Sequence, residues 1–298
     1  MSEVKCVWPL GATLGEGPVW VAREKALYFV DIKSCAVHRY DPATGRQSSW
    51  LMPEPIGACH PASDARFLCA FKSGFAFVSF SDETQIEPLI EPLIEPLGGP
   101  EADMPGNRFN DAKVDAAGRF WAGSMDDTEA EATGALYRMG SDLAWTVTDA
   151  GYVVTNGPAF SVDGRTLYHT DTFKRTIYAF DLAEDGALSN KREHIRIADD
   201  QGYPDGMTVD AEGYLWVAHW GGWRLTRFTP DGAVDRVVPM PAAQVTSCCF
   251  AGEDLATLYI TTAAIGLSDD ERAAQPDAGG LFRFQPGCVG RPGGVFSV

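Results

Sequence analysis

The sequence lacks the motifs that mark several common enzyme classes. There is no G-x-S-x-G elbow, no P-loop and no H-E-x-x-H helix. Serine nucleophiles, phosphoryl transfer and zincin chemistry therefore have no carrier. There is no C-x-x-C pair or Cys/His ligand spacing, and the seven cysteines are an odd set, so neither a disulfide framework nor a sulfur-ligated metal is expected. Cys6, Cys35 and Cys69 fall in apolar, strand-like runs, where a free thiol packs as a small hydrophobe. No apolar run approaches a membrane span, and the opening MSEVKCVWPLG has neither the basic region nor the apolar core of a secretion signal. Basic residues are scarce: 24 Lys and Arg against 41 Asp and Glu give a formal charge of −17. Such a chain repels phosphate backbones and anionic headgroups, so nucleic acid and membrane are poor partners. The expectation is a cytoplasmic protein, monomeric or weakly oligomeric, acting on a small molecule.

Helical periodicity is also missing, and short β-branched and aromatic runs bounded by Gly, Asp and Pro take its place. Several share an Asp/Gly turn followed by an aromatic pair, most clearly VDAAGRFWAGSM and VDAEGYLWVAHW. Looser copies surround Tyr28, Leu68, Tyr168 and Tyr259. With Trp121 and Trp216 these anchors are separated by 40, 53, 47, 48 and 43 residues. Self-similarity at that period, with about four short strands per unit, is the mark of a β-propeller. Six copies predict one all-β, six-bladed β-propeller over residues 1–298. The 53-residue interval holds a Glu-Pro-Leu-Ile unit in tandem from Glu87 to Leu97. Proline every fourth residue excludes a helix or a central strand, so 83–105 is expected to be an expanded surface loop.

Counting back from the anchors brings out a second regularity. Glu16 and Asn156 lie 12 residues before Tyr28 and Tyr168, and Asn110 and Asp205 lie 11 before Trp121 and Trp216. Ser247 and the pair Ile56-Gly57 hold the position in the other two repeats. The strand that opens a propeller blade lines the central channel, so these positions converge on one ring. Two carboxylates and two amides there, without sulfur or imidazole, are hard oxygen donors suited to a divalent metal such as Ca²⁺, Mg²⁺, Mn²⁺ or Fe²⁺. Without a cation Glu16 and Asp205 would repel each other. Asp231, in a second Pro-Asp-Gly, falls after a blade's later strand and reads as a hairpin turn. His169 and His219 lie in strand-like runs and are expected to be packed in the core. Arg108, two residues before Asn110, projects from the same strand face and suits a carbonyl or several hydroxyls, or equally a rim position paired to a surface carboxylate. A metal with open positions can polarise an ester or lactone carbonyl, while a neighbouring carboxylate takes the proton of attacking water. Hydrolysis of a small neutral ester follows as the leading expectation.

The segments LGEGPVW, NRFNDAKVDAAGRFWAGSM, TNGPAFSVDGRTLYHTDT and YPDGMTVDAEGYLWVAHWGG resemble the senescence marker protein/gluconolactonase/regucalcin family of six-bladed propellers. TIYAFDLAEDGALSNKR looks especially like bacterial sugar-lactonases such as xylonolactonase. The resemblance implies one divalent metal (Ca, Mg, Mn, Zn or Fe(II)) held by Glu16, Asn156 and Asp205 in the channel. It implies Asp205 as general base, and Arg108 and Asn110 as contacts to a small neutral sugar lactone. Thr128 stands where animal relatives carry an acidic residue, in a loop implied to shape specificity. The alternative it leaves is a non-catalytic, calcium-binding propeller of the regucalcin type.

Overall fold

The structure, a computed structural model described over residues 3–80 and 92–298, is strand after short strand. The first, β1 (Lys5–Trp8), stands apart from its sequence neighbours. Blade one follows as β2 (Gly15–Val21), β3 (Ala26–Asp31), β4 (Ala36–Tyr40) and β5 (Gln47–Leu51). Blade two is β6 (Ile56–Pro61), β7 (Phe67–Phe71), β8 (Gly74–Ser79) and β9 (Leu93–Gly98). Blade three is β10 (Asn107–Val114), β11 (Phe120–Asp126), β12 (Gly134–Met139) and β13 (Trp145–Tyr152). Blade four is β14 (Thr155–Phe160), β15 (Thr166–Asp171), β16 (Thr176–Leu182) and β17 (Leu188–Arg196). Blade five is β18 (Tyr203–Val209), β19 (Leu215–Trp220), β20 (Arg224–Phe228) and β21 (Val234–Pro239). Blade six takes β22 (Val245–Ala251), β23 (Thr257–Thr262) and β24 (Leu281–Phe284), and β1 returns as its outermost strand. All six sheets are antiparallel and four-stranded, in agreement with the predicted propeller.

Every anchor lies in the second strand of its blade. Its neighbours on that strand divide between two blade interfaces, because successive side chains point to opposite faces. Tyr28 packs with Phe67 and Cys69 of blade two, whereas Leu27 and Phe29 pack with Trp8, Tyr259 and Leu281 of blade six. Trp216 likewise faces Phe250 and Ile260, while Leu215 and Val217 face Ile177 and Met207. Six apolar clusters result, one for each junction between neighbouring blades. A fully buried side chain of this size contributes about 1.5–3 kcal/mol. The second strands are covered on both faces, so they read as near-continuous apolar runs, as β3 does, whereas the outer β5 alternates between half-buried and exposed. The Asp/Gly turn before the best copies is locked by the tryptophan it precedes. Trp121 Nε1 donates to Asp115 Oδ2 (2.8 Å) and Trp216 Nε1 to Asp210 Oδ2 (3.0 Å). The other oxygen of each carboxylate accepts two backbone N–H groups of its turn.

Two expectations are corrected here. Within the predicted 83–105 loop, Leu93–Gly98 forms β9, the edge strand of blade two, paired with β8. Pro96 is compatible with this because an edge strand has one row of N–H groups without a ladder partner. The repeat from 87 through 91 lies outside the described residues. Cys35 occupies a turn at φ 52° rather than a strand, while Cys6 and Cys69 are in β1 and β7. All seven cysteines are free.

Beyond β24 the chain straps the end of the channel where the inner strands finish. Arg291 Nη1 donates to the Ser161 carbonyl (3.1 Å), and the Ser297 amide to that of Gly118 (3.1 Å). Phe296 is fully buried and bridges Ala62. The single α-helix among the described residues, α1 (Asp269–Ala274), starts with a Ser268/Glu271 capping box. No helix there is long and apolar enough to cross a membrane.

Candidate active site

All six inner strands carry the same irregularity near their start. Between Glu16 and Val19, Ile56 and Ala58, Phe109 and Ala112, Asn156 and Ala159, Pro204 and Met207, and Val245 and Ser247, the pairing register slips. In each case the inner strand gains one residue over its partner. A bulge of this kind re-aims side chains, and the inner strands neighbour one another around the channel. The counted positions therefore become a ring. Glu16, Asn110, Asn156 and Asp205 are buried there, together with Arg108.

A chain of hydrogen bonds runs through three blades of this ring. Arg108 Nη1 donates to Asn110 Oδ1 (2.6 Å), and Asn110 Nδ2 donates to Asn156 Oδ1 (3.0 Å) and the Thr155 carbonyl (2.8 Å). Asn156 Nδ2 donates to Thr172 Oγ1 (2.9 Å), whose hydroxyl donates to the Pro204 carbonyl (3.0 Å), the residue before Asp205. The two amides are thus fixed in orientation, and Asp205 starts where the chain ends. Glu16 and Asp205 lie close enough that each shifts the other's titration, and each accepts the N–H of the following glycine at 3.0 Å.

The electrostatics of the ring are those of crowded, buried carboxyls. Burial, then the charge of Asp111, raises the Glu16 carboxyl to about 8. Burial, then Glu16 and Asp111, raises Asp205 well above the ordinary carboxylate range. Asp111 is itself raised by burial and accepts the Ala112 and Gly157 amides (2.8 and 3.0 Å). Among the described residues none of these three carboxyls forms an ion pair with Lys or Arg. Ser247 is buried, and its hydroxyl has no hydrogen-bond partner there.

This donor set fits a divalent cation. No three Asp, Glu, His or Cys side chains among the described residues form a metal-binding cluster by themselves. Glu16 and Asp205 with the Asn156 amide oxygen supply two negative charges and hard oxygens with no direct ion-pair partner, and Lys113 acts on Glu16 and Asp111 only through space. Imidazole is absent from the set: His169 and His219 are fully buried in strands, and burial holds both below the usual range, at about 3 and 4.

Above the ring, equivalent loops of blades one, two and three meet. Asp127 accepts from Arg108 Nε (2.7 Å) and Lys33 Nζ (2.6 Å) on Oδ1, with Lys72 Nζ 3.5 Å from Oδ2. Burial pushes the Asp127 carboxyl up, but Lys33 and Arg108 outweigh it and hold it below its usual range. Thr128 is exposed, and its hydroxyl donates to Asp126 Oδ2 (2.7 Å) in the turn. Asp231 is an exposed turn residue bonded to Thr229, well separated in the sequence from the inner strand that carries Asp205.

Sequence reasoning missed Asp111, Thr172 and the Asp127 cluster. Asp111 had a signal, since it holds the position that glycine holds in Gly17, Gly157 and Gly206. Thr172 and Asp127 lie in loops after second strands, where nothing in the repeat distinguishes them.

Comparison with known proteins agrees with this architecture. The profile of the SMP-30/Gluconolactonase/LRE-like region matches residues 14–264. Regucalcin of Xenopus laevis is 34% identical over 289 residues, covering 95% of this chain and 94% of its own. The 6-deoxy-6-sulfogluconolactonase of Pseudomonas putida is 36% identical over 292 residues, covering 96% and 97%. The solved structure of a calcium-binding protein, regucalcin, from Agrobacterium tumefaciens superposes with a TM-score of 0.92 at 26% identity, covering 100% and 98%.

Proposed function

The chain belongs to the SMP-30/gluconolactonase/LRE-like family, and on that premise we propose that it is a metal-dependent lactonase. It opens a 1,4- or 1,5-lactone of a pentose or hexose to the aldonic acid. The observation that carries this reading is the pair of buried carboxyls, Glu16 and Asp205, without a direct ion-pair partner and beside the Arg108–Asn110–Asn156 chain. Glu16, Asn156 and Asp205 would hold the metal, which when bound supplies polarisation of the ester carbonyl and a more acidic water. Asp205 takes the proton of the attacking water as its oxygen bonds to the carbonyl carbon. The bond between the acyl carbon and the ring oxygen then breaks, and Asp205 gives its proton to the departing oxygen. Arg108 and Asn110, already oriented by their own hydrogen bonds, hold the ring oxygen and hydroxyls, Arg108 donating from Nη2 and Asn110 Oδ1 accepting from a hydroxyl, so little ordering is left to do when substrate arrives. The lactone ester is neutral, which suits an acidic protein. Thr128 lies in the loop that shapes specificity, and Ca²⁺, Mg²⁺, Mn²⁺, Zn²⁺ and Fe²⁺ are the candidate metals.

The second reading is a calcium-binding propeller without turnover, favoured by the likeness to proteins named regucalcin. A pH-indicator assay on glucono-1,5-lactone and xylono-1,4-lactone, with chelator and then with each metal, separates the two. Metal-dependent acid release above background supports the lactonase. Tight Ca²⁺ binding with no acceleration on any lactone and metal supports the other reading and ends the first.

A further inference from the structure

At one point of the channel mouth three cations gather around a single carboxylate. The protein carries −17 overall, yet Lys33, Lys72 and Arg108 converge on the single carboxylate of Asp127. Lys33 belongs to blade one and Asp127 to blade three, so their 2.6 Å contact spans the sector over blade two, where Lys72 stands. Asp127 neutralises one of the three cations. Glu129, exposed in the same turn, acts on Arg108 only through space. Each lysine makes one hydrogen bond, to Asp127, and so keeps two N–H donors. Arg108 joins this cluster to the ring, with Nε on Asp127 and Nη1 on Asn110. The spare donors thus stand one guanidinium beyond the amide proposed to grip the lactone.

We propose that the lactone carries an anionic substituent at the end remote from its ester, bound by Lys33 and Lys72 above Arg108. This rests on the lactonase reading and narrows its substrate class. The expectation of a neutral substrate rested on the lactone being an uncharged ester, and the lysines at the mouth add a contact for a charged substituent. Charged donors on a partly desolvated anion discriminate strongly, because hydrogen bonds between ionised partners are shorter and stronger than neutral ones.

The test compares D-glucono-1,5-lactone with its 6-phosphate and its 6-deoxy-6-sulfonate on the metal-loaded enzyme. At low salt the charged lactones are expected to show kcat/KM about tenfold or more above the neutral one, the advantage shrinking as NaCl screens the contact. In Lys33→Gln/Lys72→Gln that ratio falls to about one, whereas Lys33→Arg retains it. A wild-type enzyme that favours the neutral lactone, or shows no preference, overturns the proposal and leaves the lactonase reading standing. If the double variant slows both substrates by the same factor, the lysines only brace the loop, and the proposal again fails. If no lactone is hydrolysed, both readings fall. The wild-type ratio and its salt dependence decide the matter even if the double variant does not fold.

Discussion

At the scale of single residues, two Pro-Asp-Gly tripeptides with the same local chemistry have different surroundings. Asp205 is buried against Glu16, and Asp231 is an exposed turn acceptor. Asp205→Asn is therefore expected to lower kcat by about 10²–10⁴-fold, the range of a lost general base, with the circular dichroism spectrum unchanged. Asp231→Asn should leave kcat within twofold or so of wild type, as surface changes usually do. Equal loss from both would remove the distinction. Glu16 gives a pH prediction. Its folded pKa of about 8 lies above the ordinary 4.5, so its contribution to stability is full below pH 4.5 and is lost as pH rises through 8. Glu16→Gln should therefore unfold at a higher temperature than wild type in chelator at pH 8, and added Mn²⁺ or Ca²⁺ should stabilise wild type far more than the variant. Calorimetry reads this directly, and an earlier melt for the variant in chelator would refute it. Such positions were legible because repetition aligned them. Asp127 was not, since its role depends on lysines from two other blades.

At the scale of elements, the ring depends on the bulge shared by the inner strands. Gly206 occupies the bulge of β18, pressed against the next inner strand. A Cβ there would overlap the Ser247 side chain and lie 2.9 Å from the Thr246 carbonyl. Gly206→Ala is expected to cost about 1–3 kcal/mol through overpacking and to reduce turnover, since Asp205 shares that bulge. Gly293, with open space around its Cβ position, should accept alanine with little change in melting temperature. Comparable melting temperatures for the two would show that the bulge tolerates distortion. The second and third strands were readable because double-sided burial demands apolar runs with an aromatic pair. The outer strands were not, since one face meets water and β9 even contains proline.

At the scale of the whole molecule, the ring is closed by residues from opposite ends of the sequence. Lys5 pairs with Arg283 and Cys6 with Phe282. Deleting residues 1–8 would bare the edge of β24 and strip Trp8 from its cluster with Leu27, Phe29 and Leu281. The expected outcome is a markedly lower melting temperature and concentration-dependent light scattering from the unpaired edge. A truncated protein that melts like wild type and stays monodisperse would contradict it. The repeat foretold six blades, but their closure was not legible, because a four-residue strand paired across nearly the whole sequence leaves no local pattern.

The strap over the far end of the channel has a consequence for traffic. Arg291, Phe296 and Ser297 tie it across blades two, three and four, at the end of the channel opposite the lysine-lined mouth. If the lactone enters past the lysines and the acid leaves past them, the two share one path, so an acid made in the ring stands in the way of the next arrival. Accumulating product should then behave as a competitor of substrate, and the rate of its departure sets a ceiling on turnover however fast the ester opens.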